Sequence, residues 1–128
     1  MTHKKEIHVS IEVATQEVLQ EMRKAGFKIT SKVEVKDQSQ AFVLIRSQYP
    51  ESVSKVHHQN PYVDGVIKCT TLVRASSSST EVEMTRSQRS TDLNDPKLNA
   101  LSVKVAQLME KVINQIGQVG LKNSAAVV

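Results

Sequence analysis

The chain has 128 residues, of which 39% are hydrophobic, 23% charged and 3% aromatic, with 4 Gly, 3 Pro, 1 Cys and no Trp. One core is expected, because proteins near this size bury roughly two-thirds of their unfolded surface, and the composition excludes disorder, collagen and a disulfide framework. Seventeen Lys and Arg against thirteen Asp and Glu leave a net charge of +4, which permits an anionic partner without demanding one.

Residues 7–13, Ile-His-Val-Ser-Ile-Glu-Val, alternate with a period of two and predict a half-buried strand showing Ile7, Val9, Ile11 and Val13 on one face. Thr15 then caps a helix whose apolar positions Val18, Leu19, Met22 and Ala25 recur at helical spacing. Gly26 ends it, with Phe27 placed to fold back on Met22 as in a Schellman ending. Period two returns from Phe27: Ile29, Val33 and Val35 share its face, and Lys28, Thr30, Lys32, Glu34 and Lys36 take the other. Asp37–Gln40 has the composition of a hairpin connection, and Ala41–Ile45 is an apolar run suited to burial on both faces. Pro50 fits the first position of a short helix carrying Val53 and Val56, which Pro61 closes.

Val66–Arg74 has apolar residues on both parities and predicts a central strand covered on both sides. Ser76–Ser79 form a turn, and Thr80–Arg86 alternate as a strand with one wet face. Asp95-Pro96 opens a helix with Leu98, Leu101, Val105, Leu108, Val112 and Ile116 at steps of three and four, ending near Gly117. Its expected packing sets Leu101, Val105, Leu108 and Val112 against Val9, Ile11, Ile29 and Val33. The order β-α-β-β-(α)-β-β-α predicts an α+β fold: a five-stranded, mainly antiparallel sheet with a long C-terminal helix on one face. Residues 1–117 form the domain, and 118–128 read as a flexible C-terminal tail. No run approaches about 18 consecutive apolar residues, so no membrane-spanning helix is expected. The opening MTHKKEIHVS lacks the roughly 7 to 15 residue apolar stretch of a signal peptide, so the expectation is a cytoplasmic protein.

The middle of the chain carries a family resemblance. Phe42 to Pro50, the turn to Asn60-Pro61 and Val66-Ile67-Lys68-Cys69 follow one another in an order that resembles the family catalogued as domain of unknown function 302. In that family a strand ends in a Cys-Asn-Pro loop, a helix leads to Asp-Pro, and the next strand opens with Pro-Cys. Pro50, Pro61 and Cys69 match, and Asp95-Pro96 with its amphipathic helix resembles the family's ending, so residues 10 to 116 are covered. Gln48, Tyr49 and Lys68 stand where the family has Cys, Asn and Pro, which removes any thiol pair or Cys-based metal site. The resemblance implies a fold like that of the TATA-binding protein, a curved antiparallel sheet carrying a long helix, and no established activity.

Catalytic constellations are missing from the sequence. There is no Gly-x-Ser-x-Gly elbow, and the four glycines cannot make a phosphate loop. Adjacent His57 and His58 point about 100° apart on a helix, whereas a helical metal pair sits at i and i+4, so no metal site and no cofactor are expected. Cys69, the only thiol, lies on a strand parity with Ile67, Thr71 and Val73 and reads as a small core residue. Lys28, Lys32 and Lys36 form a basic stripe without interleaved aromatics, which argues against nucleic acid. The candidate ligand contacts are Arg46 and Tyr49, in the expected loop from Arg46 to Pro50, with His57 and Cys69. Strand edges without proline in the first and Thr80–Arg86 strands point to a homodimer or higher oligomer. The expected function is therefore a non-enzymatic binding or interaction domain that pairs with itself. The alternative is a carrier of a fatty acid or similar apolar ligand between sheet and long helix.

Overall fold

The computed structural model describes residues 2–36, 40–52, 66–76, 79–86 and 96–117. Its elements are β1 (Thr2–Ile7), α1 (Ile11–Lys24), β2 (Lys28–Lys36), β3 (Ala41–Ser52), β4 (Val66–Ser76), β5 (Ser79–Arg86) and α2 (Pro96–Gln115). The five strands form one antiparallel sheet in the order β1-β5-β4-β3-β2. Both helices pack on the same face of it, and among the described residues no helix lies on the other face. This is the expected α+β fold, with α1 joining α2 as cover. The expected tail, 118–128, and the helix carrying Val53 and Val56 lie outside the described residues.

The first strand is shifted from its expected place. Residues 7–13 alternate, but Ser10 accepts a hydrogen bond from the Val13 amide at 3.2 Å and starts α1 one residue later. An N-cap followed by Ala14, Val18, Leu19 and Met22 on one buried stripe outweighs four alternating residues. Val13 is consequently 47% exposed, and Thr15 is a buried helical residue whose hydroxyl donates to the Ile11 carbonyl at 2.7 Å. The helix ends as expected. The Phe27 amide donates to Met22 and the Gly26 amide to Arg23, with Gly26 at φ 98°, a value that favours glycine.

β1 and β2 are the two edges and run in the same direction, so α1 must carry the chain across the whole sheet. Four strand spacings of about 4.8 Å come to about 19 Å across the sheet, and the chain must also return along the strands, because β2 starts at the end of the sheet opposite to where β1 stops. The 14 residues of α1 cover about 21 Å of this diagonal, and residues 8–10 and 25–27 supply the rest. β5, expected at an edge, is paired on both sides, because β1 returns beside it.

Two irregularities decide which side chains face where. In β2 the register slips between Ile29 and Ser31. Thr30 is the extra residue, and its hydroxyl donates to the Arg46 carbonyl at 3.1 Å. A one-residue bulge reverses the alternation beyond it, so Ile29 faces the helices while Val33 and Val35 face the uncovered side. The basic stripe is split in the same way: Lys28 pairs with Gln48 on the uncovered side, whereas Lys32 and Lys36 pair with Ile45 and Ala41 on the helix side. In β3 the register slips between Gln48 and Ser52. Pro50 has no amide hydrogen to donate and is tolerated at such a bulge. Residues 46–50 are thus part of a strand and not a loop, and Pro50 does not start a helix.

The core lies between helices and sheet. Val43, Ile45, Ile67, Cys69, Val73, Val82 and Met84 of the sheet meet Val18 and Met22 of α1 and Leu101, Val105, Met109, Val112 and Ile113 of α2, with Ile116 just beyond it. Met109 takes the buried position expected of Leu108, which is only partly buried; Val9, Ile11 and Ile29 pack at the margin, and Val33 is outside the core altogether. β4 is central but covered on one side only, since Lys68 and Thr70 are exposed; β3 likewise leaves Phe42 and Leu44 half-buried. The far end of α2 is tied to β1 and α1. Lys5 Nζ donates to the Ile116 carbonyl at 2.8 Å, and the Gly117 amide donates to Glu17 at 3.0 Å. A cation at a helix C-terminus satisfies carbonyls that have no partner within the helix.

Candidate interaction surface

The uncovered face is organised in rows that cross the strands. Lys4, Glu83, Leu72, Leu44 and Val33 stand opposite one another from β1 to β2, and Glu6, Glu81, Arg74, Phe42 and Val35 form the row beside it. The face therefore has two halves. Val33, Val35, Phe42, Leu44 and Leu72 make one apolar patch, and Val33 is 49% exposed. A hollow of about 400 Å³ opens beside this patch, lined by Phe42, Leu72, Arg74 and their neighbours.

The other half is an ion-pair network. Arg74 Nε donates to Glu81 at 3.0 Å, Lys4 Nζ lies 3.5 Å from Glu81 and 3.9 Å from Glu83, and Glu6 accepts a hydrogen bond from Ser79. The hydrogen bond from Arg74 holds the Glu81 carboxyl below its ordinary value. Solvent-facing pairs of this type add little stability, but they keep this half wetted and oriented.

The candidate ligand contacts separate onto the two faces. Arg46 is exposed on the uncovered side, opposite Ser31 and Thr70. Tyr49 and Cys69 face the helices and are buried. Tyr49 meets Phe27 edge to face, with ring centres 5.6 Å apart, and Lys104 Nζ sits 5.5 Å from the Tyr49 ring centre. Cys69 Sγ is 3.6 Å from Met109 Sδ. Burial pushes the thiol up to about 12, although the Arg86 guanidinium pulls the other way. His57 lies outside the described residues.

One buried polar row carries no sequence motif. Ser47, Cys69 and Arg86 stand side by side on the helix face, and Arg86 donates to the carbonyl and hydroxyl of Ser102 on α2. Its signal was available, since Arg86 continues the inward alternation of Thr80, Val82 and Met84. Beside the first turns of α1, a cleft of about 120 Å³ runs along Thr15, Gln16, Lys32, Glu34 and Val43. Among the described residues no three His, Cys, Asp or Glu side chains gather as metal ligands, and no helix is long and apolar enough to cross a membrane.

No protein-family model matches the chain, and no curated protein matches it either. Among solved structures, the fold is similar to the crystal structure of an uncharacterised conserved DUF302 protein from Bacillus stearothermophilus. The TM-score is 0.65 at 15% sequence identity, over 90% of this chain and 97% of that one. The resemblance read from Pro50, Pro61 and Cys69 therefore extends to the arrangement of the whole sheet and its helices.

Proposed function

We propose that the protein is a non-enzymatic interaction domain that works as a homodimer, with the β2–β3 side of the sheet as its contact surface. The similar solved structure is that of an uncharacterised protein, so the reading rests on this chain's own surface. One observation carries it: Val33, Val35, Phe42, Leu44 and Leu72 are contiguous on a sheet face that no helix among the described residues covers. Contiguous exposed apolar patches mark contact sites in soluble proteins. Catalysis is disfavoured because the only thiol is buried and held protonated, and Arg46 lies on the opposite face. A carrier would need room between sheet and α2, and the contact between Cys69 and Met109 occupies that place.

Light scattering over about a hundredfold dilution tests the reading, because a self-associating protein responds to concentration by mass action. The expected mass is twice 14.2 kDa when concentrated, falling toward 14.2 kDa on dilution. Val33→Glu, at an exposed position, should shift the mass to one protomer while the circular dichroism spectrum stays unchanged. A mass of 14.2 kDa at the highest concentration would overturn the proposal.

A further inference from the structure

The free edge of β2 carries a charge pattern that is its own complement. Among the described residues no strand lies beyond β2, so one side of its backbone has no ladder partner, the usual template for pairing with another chain. Its bulge, which would guard such an edge, is confined to Ile29–Ser31. Residues 32–36 continue in regular register and read Lys-Val-Glu-Val-Lys, with opposite charges two residues apart at Lys32 and Glu34.

Two copies joined edge to edge in antiparallel fashion are related by a two-fold axis perpendicular to the sheet. That axis pairs residues of equal parity and keeps the helices of both copies on one side. The centre of pairing can then fall on Lys32, Val33, Glu34 or Val35. Centring on Lys32 sets Lys32 against its twin, and centring on Glu34 sets Glu34 against its twin and Lys32 against the partner's Lys36. Like charges directly opposite are destabilising. Centring on Val35 pairs only residues 34–36 of the strand, because β2 ends at Lys36. Centring on Val33 pairs residues 31–35, sets Lys32 against the partner's Glu34 twice, brings the two Val33 side chains together, and leaves Lys36 opposite the partner's bulge at Thr30.

The same register has a second consequence. Val33, Leu44 and Leu72 belong to one cross-strand row, so the rows of the two copies join end to end into one apolar band. The other edge offers nothing comparable. In β1 a centre on Lys4, Lys5 or Glu6 always opposes a like charge; in β2 Lys32 and Glu34 already lie 3.2 Å apart within the strand, and the Val33 register adds the partner's opposite charge to each.

We propose that two copies pair through β2 in the antiparallel register centred on Val33, joining two five-stranded sheets into one of ten strands. The proposal rests on the homodimer reading and adds to it the strand and the register; the apolar faces of the two copies then lie side by side in one surface, and the contact between protomers is the β2 edge with the two Val33 side chains. Charge reversal tests it. Lys32→Glu should raise the dimer dissociation constant about tenfold, because two symmetric pairs turn repulsive. Lys32→Glu combined with Glu34→Lys should restore it, and Lys36→Glu, facing the partner's Thr30, should change it little. Nitroxide labels supply the distance. A label on Val33→Cys should sit about 5 Å, backbone to backbone, from its twin. One on Val35→Cys should sit about 13 Å away along the strand, four residues out of register. Buried Cys69 stays unlabelled. A dimer that ignores Lys32→Glu, or whose labels are closer at 35 than at 33, overturns the register and leaves the homodimer standing. A wild-type monomer removes both.

Discussion

Cys69 should be almost inert in the folded protein, and the size of the effect follows from its surroundings. The side chain is 2% exposed, with Met109 Sδ 3.6 Å from its sulfur. Loss of solvent is the larger influence and Arg86 the smaller opposing one, so the thiol moves from 9.0 to about 12. Only the thiolate reacts, and each pH unit is tenfold in its population. At pH 8 the ionised fraction then falls from about one in ten to about one in ten thousand, which slows labelling about a thousandfold before access is counted. A chromogenic disulfide reagent, added to native and to denatured protein, reads this ratio directly.

The same shift links the thiol to stability. Its folded value lies above its unfolded one, so its contribution is complete below about pH 9 and is lost as pH rises toward about 12, at up to about 1.4 kcal/mol per pH unit. Urea melts of wild type and Cys69→Ala across that window should converge as pH rises, because only the wild type carries the slope. Native labelling within about tenfold of the denatured rate, or two parallel alkaline limbs, would refute the assignment of Cys69 as a sealed core residue.

Core truncation should separate neighbours on α2. Met109→Ala should cost about 2–5 kcal/mol in urea unfolding, and partly buried Leu108→Ala clearly less. Gly117→Ala should cost roughly 1–3 kcal/mol, because Gly117 sits at φ 88° and an added Cβ would lie 2.9 Å from Ile7 Cγ2. Carbon-detected NMR titration should find the Glu81 carboxyl below its ordinary value, and Arg74→Ala should move it up. Whatever stability the Arg74–Glu81 pair supplies is present above the ordinary carboxylate range and is lost as pH falls through the depressed value.

Periodicity carries most of the fold. Helical spacing marks the Schellman ending at Gly26 and Phe27 and the extent of α2, and strict alternation in Thr80–Arg86 marks a strand with one wet face. Where two patterns overlap, the stronger local signal decides: residues 7–13 alternate, yet Ser10 and the stripe through Met22 make Ile11–Val13 the first turn of a helix. The bulge at Thr30 is the costliest omission. Ser31, polar on an apolar parity, is its only trace in the sequence, and it sends Val33 and Val35 to the uncovered face. The apolar patch was therefore hidden, since its five residues belong to three strands whose pairing no local window contains. Tyr49 and Cys69 do share a face, but it is the buried one, and Arg46 is divided from them by the sheet itself.

Amide hydrogen exchange on β2 tests the central claim most directly. Within residues 32–36, the amides that point away from β3 have no ladder partner among the described residues of one protomer and gain one when two copies pair. They should be protected in a concentrated sample and lose that protection on dilution, while the edge amides of β1 exchange at the same rate throughout. Equal exchange on β2 at every concentration, or concentration-dependent protection on β1 instead, would contradict the account.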